Sequence, residues 1–164
     1  GIKSRSRENR EEKVMGYRSD VSIVVAFDNL DNMKEVLAVY LLDPRVKDHD
    51  LMQHWKTCQN VYGEESIYYL KFYEQGWKWY DGYEDVQGLR HLYMLAMEFA
   101  EKRNFAVAWK EISIGEDGAI EADEGSSNDL LQEVCDELLG YSHPEIMFDD
   151  TNCEEITIKL GEEK

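Results

Sequence analysis

Histidine, cysteine and carboxylate side chains are the types that ligate metals and move protons, and the stretch "DHDLMQHWKTC", residues 48–58, contains all three. His49 lies between Asp48 and Asp50, the pattern of an imidazole oriented by a carboxylate. Asp50, His54 and Cys58 fall at i, i+4 and i+8, one face of a helix if a helix runs there, and such a set suits a metal with a fourth ligand from elsewhere. A metal-dependent hydrolase or nuclease would draw on Asp48, His49, Asp50 and His54. No second ligand pair with zinc-like spacing accompanies them, so no catalytic residue, metal or cofactor is assigned, and Asp50, His54 and Cys58 stand only as metal candidates. His91 falls off the apolar stripe of its helix, and His143 precedes Pro144 in an expected loop. The sequence has no nucleophile elbow, P-loop or GxGxxG. The glycines of "GEDGAIEADEGSSND" miss the sixth position that a calcium-binding EF-hand loop requires.

Binding chemistry is better represented. Trp77, Trp79, Tyr80 and Tyr83 place large rings beside Asp81, Glu84 and Asp85. Buried, such rings anchor a helix on a sheet; exposed, they form a protein-binding hot spot. The expectation is a mostly buried block with one or two rings at the surface. In "GYRSD", residues 16–20, Arg18 either pairs with a carboxylate as a structural lead-in or contacts an anion or partner. With Glu116 and Asp117 of a predicted turn, these residues are the candidate partner contacts.

Charge narrows the class of partner. Eighteen basic against 35 acidic residues give a net charge of −17. That field repels phosphate, so direct nucleic-acid and anionic-membrane binding are disfavoured, whereas a basic protein, such as one that itself binds nucleic acid, is attracted. Residues Glu116 to Glu124 and Asp129 to Glu163 supply most of the candidate charge. Solubility is the plainer reading of the same acidity. Cys58, Cys135 and Cys153 are odd in number and widely spaced, which points to free thiols in a reducing compartment. No apolar run approaches the roughly 18–20 residues of a membrane span, and no apolar signal core opens the sequence.

The elements that must position these residues follow from periodicity. "DVSIVVAF" is a buried strand, and the helix after it, capped by Asn29 or Asp31, carries Leu30, Met33, Val36, Leu37 and Tyr40 on one face and stops at Pro44. "VKDHDLMQHWKTC" reads as a short helix and "SIYYLKFYEQGWKWY" as a strand bent at Gly76. The clearest helix runs from Asp85 to Lys102, with Val86, Leu89, Leu92, Tyr93, Ala96, Phe99 and Ala100 as its stripe. "FAVAWKEISI" and "AIEAD" form a hairpin across "GEDG". "SSNDLLQEVCDELLG" is a helix with Leu130, Leu131, Val134, Leu138 and Leu139 apolar, ended by Gly140, and "EEITIKL" alternates like an edge strand. The expected class is α+β, with helices packed on one face of a mixed or antiparallel sheet, a ferredoxin-like split βαβ core as one arrangement, and a C-terminal helix–strand extension.

"MGYRSDV" at Met15 and "KWYDGYEDVQ" at residues 78–87 resemble an uncharacterised family of small tailed-bacteriophage proteins, and "ISIGEDGAIEAD" resembles that family's third shared block. The sequence departs from it at Glu84, where the family often has proline. The resemblance implies a phage or prophage gene expressed in the bacterial host cytoplasm and implies no activity. Residues 1–14, basic and without apolar periodicity, are expected to be a disordered leader or cloning remnant, with Met15 the natural start. Residues 15–164 form one domain, comprising a family-like core at 15–123 and an acidic extension at 124–164. The leading expectation is a non-enzymatic accessory protein that binds a host or phage protein through an acidic surface, one form of which is DNA mimicry. The alternatives are the metal-dependent hydrolase or nuclease and a virion or assembly component held in an oligomer by the aromatic block.

Overall fold

A computed structural model describes residues 16–160. The expectations for residues 1–14, for Met15 and for Glu163 lie outside the described residues. The chain runs β1 (Ser19–Phe27), α1 (Leu30–Tyr40), α2 (Pro44–Asp48), a 3-10 turn (Leu51–His54), β2 (Trp55–Tyr62), β3 (Glu65–Trp77), α3 (Glu84–Arg103), β4 (Val107–Gly115), β5 (Ile120–Ser126), α4 (Asp129–Leu138), β6 (Leu139–Ser142), β7 (Glu145–Phe148) and β8 (Cys153–Glu155). Six strands form an antiparallel sheet in the order β5-β4-β1-β3-β2-β8, and β6 and β7 form a separate two-stranded hairpin. The class is α+β, with two open sheet edges and no closed barrel.

β1 is central because it is apolar on both sides: Val21 to Phe27 are wholly buried. A strand of that kind needs cover on each face. Val21, Ile23, Val25 and Phe27 pack under α1 and α3, with Met33, Leu37, Leu89 and Leu92 above them. Val24 and Ala26 point the other way, onto Leu131, Cys135 and Leu138 of α4. The first three helices therefore lie on one face, and the fourth, together with the β6–β7 hairpin, lies on the opposite one, which corrects the expectation of helices packed on one face only: the apolar second face of β1 needs cover too. Burying the side chains of β1 in two cores is worth about 1.5–3 kcal/mol for each large aliphatic residue.

Several helices start and stop where their residues dictate. The Asn29 side chain accepts from the Asn32 amide to cap α1, and Asn128 does the same for α4 through the Leu131 amide at 2.9 Å. α2 has Asp43 as cap and Pro44 at its first position, where a missing N–H costs nothing. α3 ends at Asn104, which adopts the left-handed conformation at φ 57°.

Four local expectations are corrected. The segment expected to be one short helix through Cys58 is helix only over Pro44–Asp48, and from Trp55 it is strand β2, hairpinned with β3. Leu139 and Gly140 belong to β6 rather than to the end of α4. Residues 139–148 form the β6–β7 hairpin, whose turn holds Pro144 in a cis peptide. The edge strand begins earlier than expected, at Cys153, and pairs with β2; beyond it Ile156, Ile158 and Leu160 fold back onto the first core.

Candidate functional site

The aromatic block between β3 and α3 is assembled by burial. Trp79 and Tyr80 are 3% and 4% exposed, whereas Tyr83 is 38% exposed and sets its ring edge-on to Tyr80 at 4.8 Å. Trp77 is half-buried, and its indole N–H donates to Asp85 Oδ2 at 3.0 Å, tying the end of β3 to the first turn of α3. Glu84 and Asp85 occupy that first turn, where negative charge meets the positive end of the helix dipole. Of the candidate rings, Tyr83 and part of Trp77 reach solvent, while Trp79 and Tyr80 act through packing.

Behind this block lies an ionic network, half-buried at Arg90 and Asp81 and buried at Glu111, that the sequence reading missed. Arg90 makes a two-pronged pair with Glu111, Nε to Oε1 and Nη2 to Oε2 at 3.0 Å each, and donates from Nη1 to Asp81 at 2.7 Å. Glu111 is 2% exposed and also accepts from the Tyr93 hydroxyl at 3.0 Å. The guanidinium lies over the Trp79 ring, and the Tyr93 ring stacks on Trp109 at 3.8 Å. Burial opposes the charge on Arg90, but Glu111 and Asp81 outweigh it and hold the guanidinium more firmly protonated than usual. Burial, reinforced by Glu111, likewise raises the Tyr93 phenol. With both Glu111 oxygens engaged, the network is a closed strut between α3 and β4. A signal existed: Arg90 follows Val86 by four residues and precedes Tyr93 by three, so it borders the apolar stripe of its helix.

The "GYRSD" segment clamps the end of β3 and the β4–β5 turn. Arg18 donates to the Gly76 carbonyl at 2.8 Å, and Asp20 accepts from the Gly76 amide at 3.0 Å. Gly76 has φ 68°, a conformation that a side chain resists. Tyr17 donates to Asp117 in the β4–β5 turn and lies so close to Gly115 that a Cβ there would fall 1.7 Å from its hydroxyl. Arg18, Asp20, Gly76, Glu116 and Glu145 line an open cleft of about 500 Å³ at this end of the sheet.

The candidate metal residues are dispersed. Asp50 sits in the left-handed region at φ 49°, His54 closes the 3-10 turn, and Cys58 is buried in mid-strand, so no helical face joins them. His54 Nδ1 lies 3.1 Å from Glu74 on β3, with its ring edge-on to Trp77. Among the described residues no three His, Cys, Asp or Glu side chains gather closely enough to hold a metal ion. Cys58 lies beside Cys153 and Tyr69; burial first, then Cys153, pushes its thiol up to about 12. His91, expected at the surface, is half-buried, stacks on Tyr40 and faces Asp43 at 3.4 Å.

Acidity is segregated along the chain. Residues 16–115 carry eleven Lys and Arg against sixteen Asp and Glu, whereas residues 116–160 carry fourteen Asp and Glu and, of Lys and Arg, only Lys159. Those fourteen lie on β5, α4, the β6–β7 hairpin, β8 and their connections, and all are exposed or half-buried. Lys71 and Lys110 reach into this layer from the sheet and pair with Asp150 and Asp136. Crowding is such that the Asp136 carboxyl beside Glu124 raises the Glu124 pKa.

Compared with known protein families, curated proteins and solved structures, the chain matches none. No helix among the described residues is long and apolar enough to cross a membrane.

Proposed function

We propose that this chain is a phage-encoded, non-enzymatic accessory protein that binds a basic protein of the bacterial host, or of the phage, through the acidic surface centred on α4, the β6–β7 hairpin and the neighbouring edge strand β5. The observation that carries the reading is the segregation of fourteen carboxylates against a single lysine in residues 116–160. A charge needed only for solubility has no reason to collect in one segment of the chain while residues 16–115 stay near balance. Concentrated there, it steers a basic partner and resists phosphate. The phage origin and host-cytoplasm setting rest on the "MGYRSDV" and "KWYDGYEDVQ" blocks. A ferredoxin-like split βαβ core belongs to the same reading and is supported by the run β4-β1-β3-β2, with α1 and α3 on one face.

The test is an affinity capture from bacterial lysate by the full chain at low and high salt. A basic, nucleic-acid-binding protein retained at low salt, released at high salt and displaced from DNA by the chain is the expected result. Failure to retain any basic protein at either salt contradicts the reading.

A further inference from the structure

α4 presents more apolar surface than its core needs. Leu131, Cys135 and Leu138 are buried on the sheet, but Leu130 is 73% exposed and Val134 is half-buried. The two lie four residues apart, on the side of the helix that also carries Glu133 and Glu137. This side lines a groove of about 410 Å³ together with Ile67, Ala106 and Tyr62 of the β2–β3 hairpin. Every titratable carboxylate or cation lining it is acidic: Asp28, Glu65, Glu133 and Glu137. Beyond Asp28, Ala106 and Asn128, which both clefts share, the groove continues into a polar cleft of about 440 Å³ lined by Asn29, Asn32, Asn104 and Ser127.

We propose that this groove receives a basic segment of a partner protein carrying a large apolar anchor side chain. The inference rests on the acidic-layer reading and specifies its ligand. Leu130, Val134 and Ile67 offer the anchor an apolar seat, the carboxylates meet Lys or Arg on either side of it, and the Asn32 and Asn104 amides of the adjoining cleft are suited to main-chain N–H and C=O groups. A second copy of the chain is a poor occupant, because two molecules of net charge −17 would bring like charges together at the seam.

The experiment uses the full chain and two synthetic Lys/Arg-rich peptides, one with a central Trp and one with Ala in its place, read by fluorescence anisotropy at low salt. The anchored peptide is expected to bind about tenfold more tightly than its Ala counterpart, the order of effect of burying one large apolar side chain. Leu130→Ala, at a site that does not hold the core, is expected to erase that preference, and Glu133→Gln with Glu137→Gln to weaken both peptides. Equal binding of the two peptides, unaffected by Leu130→Ala, overturns the groove while leaving the acidic-layer reading standing. Binding of neither peptide overturns both. Self-association in light scattering that Leu130→Ala abolishes also overturns the inference, since the groove would then be covered by a second copy.

Discussion

Truncating Glu111 to alanine leaves the half-buried Arg90 guanidinium without its two-pronged partner, with only Asp81 to pair it. Breaking a buried pair from one side costs about 3–5 kcal/mol, whereas replacing both members by apolar residues costs far less. Chemical denaturation of Glu111→Ala should therefore show the full loss, and Arg90→Leu with Glu111→Leu should recover most of it. Equal losses in the two variants would contradict the strut. Asp43 gives a prediction in pH. The Arg45 fork beside it holds its carboxyl down at about 2, below the ordinary carboxylate value. A depressed pKa contributes stability that is complete above the unfolded value and disappears as pH falls toward 2. Asp43→Asn keeps an acceptor for the cap of α2, so its deficit, up to about 1 kcal/mol near neutrality, should shrink to nothing as thermal melts are taken down toward pH 2. Thiol titration offers a further check. Cys58 and Cys135 are buried with thiols pushed up to about 12, so Cys153 should react first and the other two only on unfolding.

At the scale of elements, Tyr17 and Gly115 act as one joint between the lead-in to β1 and the β4–β5 turn. Gly115→Ala forces Tyr17 aside and should cost about 1–3 kcal/mol, while the same change in a Tyr17→Ala background should cost little, a coupling that a double-mutant cycle measures directly. The strongly periodic elements were legible: β1, α1, α3, the β4–β5 hairpin and α4 are all present, although α1 ends at Tyr40, short of Pro44, and α4 ends at Leu138, short of Gly140. β2 was not. Its residues Lys56, Thr57, Gln59 and Asn60 are polar, its buried positions are irregular, and the i, i+4, i+8 spacing of Asp50, His54 and Cys58 imitates a helix. The helix on the second face was legible as a helix but not in its placement, because the both-sided burial of β1 reads from sequence only as a continuous apolar run. The groove was hidden for a related reason. Leu130 and Val134 repeat with Leu131 and Leu138, and pattern alone does not separate the part of an apolar stripe that meets the core from the part left open.

Over the whole molecule, the charge of −17 sets stability and association together. Self-repulsion within the acidic layer weakens the compact state, so the melting temperature should rise between about 20 mM and 500 mM salt as the Debye length contracts to a few ångströms. A melting temperature that falls or stays level over that range would mean that the pairs Lys71–Asp150 and Lys110–Asp136 outweigh the repulsion around them. The same salt that relieves repulsion should release a basic partner. Stability and binding should therefore move in opposite directions with ionic strength. The most direct measurement is retention of the captured basic protein by a variant in which Glu124, Glu133 and Glu137 are changed to their amides. The account predicts that retention at low salt is lost while melting is unchanged or improved; undiminished retention by a folded variant would contradict it.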